Sequence, residues 1–543
     1  MARTLMRLPE DTLLHSADLA AALFSALNET RPEAPAALLD SSDHRVSPTP
    51  ERSRYSVLAF SFGPQREEVV HARGMTTVRH AVSEKGASEH STELPFFQWL
   101  HQNWEILPDA GHPGEEAAPF QLGWVGWLGY EIKRELGSPD GRASAQRSTE
   151  DGLPETEAHL FRATHAVVVD HHRGELETQS LKEDPAWEQE VAAAVAEVAE
   201  AGLGSAGSAS AGAADVGRGD ASAESTAHPG ELEAALRNLR VRDSQEEYLA
   251  AIRAAQEEIR NGTTYEVCLT TAVSAELHGS SPALELFARM RERNRAPFTQ
   301  YLHLPGAQDP TPDAGAGTGT SAPLRTEILS TSPERYLSVT PGQGTSITVR
   351  SEPIKGTRPR GSTPEEDQAL AHDLRTHPKD RAENVMITDL VRNDLSIHSE
   401  PGTLRTERLC TVESYPSVHQ MVSTVSAQLH ENAHPADVIA AAFPPGSMTG
   451  APKISTMNIL EELETGPRGA YSGVAGYFSR SGAADLSVLI RTAVITHDGE
   501  RRRLHLGLGG AVTADSDPEA EWEEVRTKSA GVLGALGAEF PQR

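Results

Sequence analysis

A lysine lies in a segment whose composition restricts the backbone. Residues 351–361 have the sequence SEPIKGTRPRG, with two prolines and two glycines in eleven residues. This composition argues against a helix interior or a central strand. The run before it, 346–350, is β-branched and alternating, so we predict a strand that ends before Lys355 and a stiff turn that carries this lysine. A lysine desolvated on such a turn has a lowered pKa and a nucleophilic amine, whereas the alternative is a solvated loop lysine.

Two pairs of carboxylates have a spacing that suits a metal ion. Asp380 and Glu383 are three residues apart in a segment with helical apolar spacing, 379–394, and Glu521 and Glu524 repeat the arrangement. Residues three apart share one face of a helix. Mg²⁺ prefers oxygen ligands and needs only one or two carboxylates, because it keeps several waters. A single acidic pair of this kind is more typical of a solvated helix face.

Glu334 is a candidate general acid. It follows Ser332 and Pro333 in a predicted turn, and a strand pattern begins at Arg335. A carboxyl group held against a buried strand has a raised pKa, which a general acid needs. Taken alone, a Pro-Glu-Arg turn is more typical of a solvated surface.

The composition excludes several classes of protein. The formal charge of −29, from 78 acidic and 49 basic residues, argues against a nucleic-acid or anionic-membrane partner. The two cysteines, Cys268 and Cys410, are far apart and form no CxxC pattern, so a disulfide framework or a structural zinc is not expected. We see no apolar run of eighteen residues and no signal peptide, which predicts a cytoplasmic location.

Two stretches of low complexity divide the chain. Residues 201–231 are nearly all Ala, Gly, Ser and Asp and predict a flexible linker, and 306–323 have the same character and predict a disordered insertion. They leave an N-terminal segment, 1–200, and a catalytic domain, 240–537. In the N-terminal segment, 120–131 carry a glycine at every third position among large apolar residues, which predicts close packing within a sheet.

The segment 353–361, PIKGTRPRG, resembles the signature of the chorismate-utilising enzymes, in the version of those members that aminate chorismate at C4. Family-like blocks cover most of residues 30–530; they include 120–131, 264–270, 332–337, 443–453 and 489–492. The resemblance implies an α+β fold with two packed antiparallel β-sheets and surrounding helices. Anthranilate and salicylate synthases of the family usually have alanine where this chain has Lys355.

Position 266 separates members that add water from members that add ammonia. The former carry a lysine there that activates water, whereas this chain has Glu266. The resemblance therefore argues against an isochorismate or salicylate synthase.

The resemblance implies a covalent mechanism that yields 4-amino-4-deoxychorismate, on the route to 4-aminobenzoate and folate. Lys355 would attack ring C2 while Glu334 protonates the departing 4-hydroxyl group, and ammonia would then attack C4 and expel the lysine. The nearest alternative is anthranilate synthase component I.

The resemblance also implies the ligands and their residues. Mg²⁺ would bind the acidic pairs, and ammonia would come from a separate glutamine amidotransferase (glutaminase) subunit, because neither cysteine lies in a G-x-C-x-G turn. The residues expected at the substrate are Thr357, His419, Ser447, Tyr471, Arg491, Gly509, Gly510 and Lys528. In the family a similar segment lines a pocket that can hold tryptophan, which here would be formed by Ser41, Arg54, Tyr55, Pro297 and Phe298. The alternative is that this part of the N-terminal segment is an ordinary strand–loop–strand.

Overall fold

The computed structural model describes most of the chain. The described residues are 1–8, 15–80, 89–107, 118–138, 153, 155–201, 236–279, 281–306, 324–342 and 344–541. The predicted linker and insertion therefore lie almost entirely outside the described residues. Within these ranges, no helix combines the length and the apolar character needed to span a membrane.

Within the described residues, the chain forms two antiparallel sheets of twelve strands each. The first sheet begins with the N-terminal strand. Its order is β1 (Ala2–Arg7), β10 (Glu175–Ser180), β9 (His165–Asp170), β3 (Tyr55–Phe60), β2 (Ala36–Asp40), β13 (Phe298–Leu304), β14 (Arg325–Ser332), β23 (Thr492–Asp498), β24 (Arg501–Val512), β12 (Glu266–Leu277) and β11 (Leu236–Val241), with the short β20 (Gly450–Ala451) beside β12.

The second sheet also has twelve antiparallel strands. Its order is β17 (Ile354–Pro359), β19 (Val418–Gln428), β16 (Ile347–Glu352), β15 (Arg335–Pro341), β22 (Ala484–Val488), β21 (Val474–Ser479), β7 (Gly123–Leu128), β8 (Ala158–Ala163), β4 (Glu67–Ala72), β5 (Met75–His80) and β6 (Glu89–Thr92), with β18 (Arg405–Ser414) beside β19. Both sheets take strands from 1–200 and from 240–537, so the two predicted segments interleave in one architecture.

Helices cover the outer faces of the sheets. They are α1 (Ser16–Glu29), α2 (Phe96–Asn103), α3 (Pro185–Glu200), α4 (Gln245–Arg260), α5 (Ala283–Arg293), α6 (Pro364–Thr376), α7 (Pro378–Ser396), α8 (Pro435–Ala442), α9 (Lys453–Leu463) and α10 (Pro518–Ala535), with 3₁₀ turns at Pro50–Ser53, Tyr130–Leu136 and Gly446–Met448. Both acidic segments are helical, as predicted: Asp380 and Glu383 lie on α7, and Glu521 and Glu524 on α10.

Apolar clusters hold these layers together. One lies between the sheets and joins Val57 and Leu302 of the first sheet to Val125 and Phe161 of the second. A second cluster packs helices such as α1 and α4 onto the first sheet, and a third packs α2, α7 and α8 onto the second. The predicted α+β fold with two packed antiparallel sheets is therefore confirmed.

The glycines of β7 allow close packing, as predicted. A Cβ atom at Gly126 would overlap the carbonyl oxygen of His159 on the neighbouring strand β8, and one at Gly123 would overlap that of Phe478 on β21. Only a residue without a side chain permits both approaches.

The predicted turn around Lys355 is wrong. Pro353 ends β16, but β17 begins at once, so Lys355 is the second residue of a strand. In the described part of the chain, β17 pairs only with β19. An edge strand tolerates proline, and a register shift between Ile354 and Thr357 accommodates Gly356 with its positive φ of 88°.

Candidate active site

Lys355 is buried and is paired with a carboxylate from the opposite sheet. Its Nζ donates to Oε1 of Glu266, at the start of β12, over 2.5 Å. Burial has the largest single effect and lowers the pKa of Lys355, but the charge and hydrogen bond of Glu266, together with the nearby Cys268 and Glu383, raise it by more, and the pKa lies well above its usual value. The predicted lowered pKa is therefore wrong for this state: the lysine is desolvated, but its partner keeps it protonated.

Glu334 lies in the predicted turn between β14 and β15 and is buried. Burial raises the pKa of its carboxyl group to about 7, although the Ser447 hydroxyl, the Lys355 charge and the backbone N–H of Ile354 each lower it. The Ser447 hydroxyl is buried and close to this carboxyl group, but in no hydrogen bond of regular geometry. Near neutral pH a large fraction of Glu334 thus holds a proton, close to the lysine.

Glu383 of α7 and Glu521 of α10 approach the same cation. The Nζ atom of Lys379 lies 3.1 Å from Oε1 of Glu521 and 3.7 Å from Oε1 of Glu383. Oε1 of Glu383 and Oε2 of Glu521 are buried and have no hydrogen-bond partner among the described residues. An ammonium ion between two carboxylates, with partnerless oxygens beside it, fits a place for a hard divalent cation.

The other two predicted metal ligands are engaged elsewhere. Asp380 accepts from Arg358 of β17 over 2.7 Å and lies 3.0 Å from His377, so it does not join Glu383. Oε1 of Glu524 lies 2.8 Å from Nζ of Lys528, and the charge of this lysine lowers the pKa of the Glu524 carboxyl group. Within the described ranges, no three acidic, histidine or cysteine side chains converge into a complete ligand set. Mg²⁺ would therefore depend on one or two carboxylates and on water.

Arg491 is a partly buried cation in the turn between β22 and β23. No carboxylate in the described part of the chain pairs with it, and burial lowers its pKa. Its φ of 51° is left-handed, an uncommon conformation for arginine. An arginine in this state suits an anionic ligand, because a buried unpaired charge is costly.

Tyr471, Gly509, Gly510 and Lys528 lie around β24. The Tyr471 ring packs directly on Gly507, where a Cβ atom would overlap it. Lys528 donates to the carbonyl oxygen of Gly509 over 2.9 Å. A Cβ atom at Gly510 would lie 3.3 Å from Oε2 of Glu521, so this strand runs beside the acidic helix α10.

Two predicted substrate residues are not brought to Lys355 by any contact. His419 is buried, and its ring nitrogens bond to Ser414 over 2.8 Å and to Asp367 over 3.0 Å, which is the pattern of a satisfied core histidine. Thr357 is exposed on β17, opposite Gln420 of β19.

Glu266 is the site residue that the sequence patterns did not identify. The sequence analysis used Glu266 only to show that this chain lacks the lysine that water-adding members of the family carry at this position. In the structure, Glu266 is the partner of Lys355. A glutamate between Tyr265 and Val267 in the predicted strand 264–270 was the available signal, because an ionised carboxylate is seldom buried unless it is paired.

A cavity of about 740 Å³ lies at the predicted tryptophan pocket. Ser41, Tyr55, Pro297 and Phe298 line it, together with Asp40 and residues of β15 and β16. Arg54 does not, because it pairs with Asp170 over 2.7 Å and its guanidinium lies over the Tyr55 ring. Arg54 is therefore removed from the predicted set.

The two packed sheets, with a buried lysine near a protonated carboxyl group and two converging acidic helices, define an α+β enzyme whose site suits an anionic substrate. The chain belongs to the chorismate binding enzyme family, whose model matches residues 57–534.

Similar proteins include an aminodeoxychorismate synthase from Streptomyces griseus, 40% identical over 93% of this chain. The chain spans only 61% of the length of that protein. An aminodeoxychorismate synthase component 1 from Klebsiella aerogenes is 33% identical over 87% of this chain and 88% of its own length. The solved structure of anthranilate synthase component I from Streptococcus pneumoniae superimposes with a TM-score of 0.64 and 23% sequence identity. The match covers 88% of this chain and 92% of the chain in that structure, so the two share the fold.

Proposed function

We propose that this chain aminates chorismate at C4 and forms 4-amino-4-deoxychorismate, on the route to 4-aminobenzoate and folate, as aminodeoxychorismate synthase component I does. The observation that carries the proposal is the buried Lys355 amine near Glu334, whose pKa of about 7 lets it donate a proton. Family membership and the names of the similar proteins support chorismate as the substrate.

The proposed reaction divides one difficult displacement into two. Chorismate carries a 4-hydroxyl group on a cyclohexadiene ring, and hydroxide is a poor leaving group. Lys355 attacks C2 while Glu334 protonates the departing oxygen, and ammonia then attacks C4 and expels the lysine. A covalent intermediate makes each step easier than direct substitution.

Mg²⁺ is the proposed cofactor, with Glu383 and Glu521 as the residues that would hold it. Glu524, which is paired with Lys528, would join them only after release from that lysine. Asp380 contributes indirectly, through Arg358 of the strand that carries Lys355. When bound, Mg²⁺ supplies positive charge for the ring carboxylate of the substrate.

The second carboxylate of chorismate, on the enolpyruvyl group, needs a cationic partner of its own. Arg491 is the proposed anchor, because it is partly buried and no carboxylate in the described ranges pairs with it. Tyr471, Lys528 and backbone N–H groups near Gly509 and Gly510 are the other proposed contacts. Ser447 is proposed to face the ring, beside Glu334.

Ammonia is proposed to come from a separate glutamine amidotransferase subunit, which makes the overall reaction an amino transfer from glutamine. Both cysteines are buried, and burial raises the pKa of each thiol. Neither is suited to be the nucleophile of a glutaminase, because the thiolate is the reactive form. We also propose that the 740 Å³ cavity binds tryptophan, as a structural or feedback ligand.

Incubation with chorismate, Mg²⁺ and an ammonium salt, followed by mass spectrometry of the products, tests this function. We expect 4-amino-4-deoxychorismate, which retains the enolpyruvyl group. Anthranilate with release of pyruvate would instead support the alternative, anthranilate synthase component I. The fold shared with the Streptococcus pneumoniae enzyme does not favour that alternative, and Lys355 argues against it.

A further inference from the structure

Glu266 has one oxygen engaged and one oxygen without a partner. Its side chain is fully buried at the start of β12. Oε1 accepts from Lys355, and Oε2 is buried with no hydrogen-bond partner among the described residues. A buried carboxylate oxygen without a donor is costly, because desolvation is not repaid.

The chemistry of an occupant for Oε2 is narrow. An ionised carboxylate only accepts hydrogen bonds, so its partner must donate N–H or O–H. Because the ammonium group of Lys355 holds the other oxygen of the same carboxylate, the occupant lies beside the nucleophile of the proposed reaction. The negative charge also favours a cation, or a neutral amine with several N–H donors, over an anionic ligand.

We propose that Glu266 binds the incoming ammonia at Oε2 while Oε1 holds Lys355, so that one carboxylate positions both nitrogen nucleophiles. This inference rests on the C4 amination proposed above. The geometry suits that reaction, since the two oxygens of a carboxylate are spaced much like two 1,3-related ring atoms, and C2 and C4 are 1,3-related.

The proton of Lys355 is accounted for in this scheme. In the first step a proton passes from Nζ to Oε1 of Glu266, the Nζ–C2 bond forms, and the C4–O bond breaks as Glu334 protonates the leaving oxygen to give water. In the second step the nitrogen of ammonia bonds to C4, the Nζ–C2 bond breaks, and Glu266 returns its proton to Nζ. The positive charge then resides on the new C4 amine, and the Lys355–Glu266 ion pair is restored.

The competing explanation is that Glu266 only keeps Lys355 in place. A structural partner would affect turnover and folding, but not the affinity for ammonia in particular. The two explanations therefore differ in how a substitution divides its effect between the ammonium and chorismate KM values.

The experiment uses the full chain with ammonium chloride as the nitrogen source, at fixed pH and saturating chorismate and Mg²⁺. Glu266→Gln keeps the shape but removes the charge, Glu266→Asp keeps the charge but moves it, and Glu257→Gln changes an exposed glutamate of α4 as the control. We expect Glu266→Gln to raise the KM for ammonium by about tenfold to a hundredfold, the value of a hydrogen bond to a charged group. The chorismate KM should change by less than about threefold, and Glu266→Asp should be intermediate.

Several outcomes would overturn the inference while leaving the proposed function intact. An unchanged ammonium KM in an active Glu266→Gln enzyme is one, and reduced Mg²⁺ affinity as the main effect is another. If Glu266→Gln does not fold, as judged by its thermal unfolding, then Glu266→Asp decides, and an unchanged ammonium KM in that variant contradicts the inference. Failure of the wild-type chain to aminate chorismate at C4 would instead contradict the proposed function itself.

Discussion

Lys355 of the second sheet and Glu266 of the first form an ion pair of 2.5 Å whose partners are 89 residues apart in the chain. Both side chains are buried, so the pair links the two sheets at the position where the proposed chemistry occurs. It also helps explain why a lysine in a dry environment keeps its proton, because the charge and hydrogen bond of Glu266, added to the nearby Cys268 and Glu383, exceed the penalty of burial.

This ion pair should be visible as coupling in stability measurements. Lys355→Met leaves the Glu266 carboxylate buried without a partner, which should cost about 3–5 kcal/mol in free energy of unfolding. Glu266→Gln should cost a similar amount, and the double variant much less than the sum, because no charge then remains buried. Urea unfolding of the four proteins measures this cycle, and additive losses would contradict a direct interaction.

Lys355 variants should also lose the chemistry itself. Lys355→Met has no amine to attack C2, so we expect ammonium-dependent turnover to fall by about a hundredfold or more. Arg350→Met, on β16, which precedes β17 in the chain, removes a half-exposed cation that pairs with Glu407 and should leave turnover within about twofold. Normal 4-amino-4-deoxychorismate output from Lys355→Met would contradict the covalent mechanism.

The raised pKa of Glu334 predicts a decline of activity on the alkaline side. A general acid works only while it is protonated, so kcat at saturating free ammonia should fall as pH rises above about 7. Glu334→Gln should lose about a hundredfold or more in kcat and should lack this alkaline decline. The assay should extend at least about one pH unit to each side of the transition, from about pH 6 to about pH 9. A wild-type kcat that stays constant over this range would contradict the assignment.

The same group has a defined effect on stability. The folded state raises the pKa of Glu334 from 4.5 to about 7, so it binds the proton more tightly than the unfolded chain does. The resulting stabilisation is complete below about pH 4.5 and is lost as pH rises through about 7, by about 3 kcal/mol in total. Glu334→Gln should remove this part of the pH dependence, which urea unfolding at pH 5 and at pH 8 would reveal as a difference of about this size between the proteins.

Lys379 should compete with Mg²⁺ for the acidic helices. Its ammonium group lies between Glu383 and Glu521. Lys379→Met should leave these two carboxylates without a cation between them, and their repulsion should lower the unfolding temperature of the metal-free protein. Mg²⁺ should then bind about tenfold more tightly, because no internal cation must be displaced.

Isothermal titration calorimetry with MgCl₂ measures the Mg²⁺ affinity. Thermal unfolding with and without EDTA measures the change in unfolding temperature. Lys182→Met, which removes an exposed lysine just before α3, is the control and should change neither. The metal hypothesis is contradicted if exhaustive chelation leaves chorismate turnover unchanged, or if neither Lys379→Met nor the wild type binds Mg²⁺.

Local patterns were sufficient to predict several elements of the fold. The apolar spacing of 379–394 predicted α7 to within two residues at each end. The turn that holds Glu334 was also predicted, because Pro333 and the following strand pattern determine it locally. These features depend on neighbours in the chain, which a sequence displays directly.

The contacts of the site were less predictable. Glu266 and Lys355 meet only because two sheets pack face to face, and no local signal reports that register. Asp380 has the correct spacing for a metal pair with Glu383, but its carboxylate instead accepts a hydrogen bond from Arg358 of β17. The strand that carries Lys355 was missed because Pro353 ends one strand without preventing the next, which lies at the edge of the sheet and tolerates proline.

The cavity beside Tyr55 and Phe298 should bind L-tryptophan if the proposed pocket is correct. A ligand that binds only the folded state stabilises it, by about 2.7 kcal/mol at a hundredfold excess over Kd, so the unfolding temperature should rise with added tryptophan. Phe298→Ala removes an apolar wall of the cavity and should weaken binding by about tenfold or more. Arg54→Ala is the matched control, because Arg54 faces Asp170 outside the lining, and it should leave the affinity within about twofold. Isothermal titration calorimetry with L-tryptophan measures the affinity of each protein. The proposed pocket is contradicted if the wild type does not bind tryptophan. It is also contradicted if Arg54→Ala loses binding and Phe298→Ala does not.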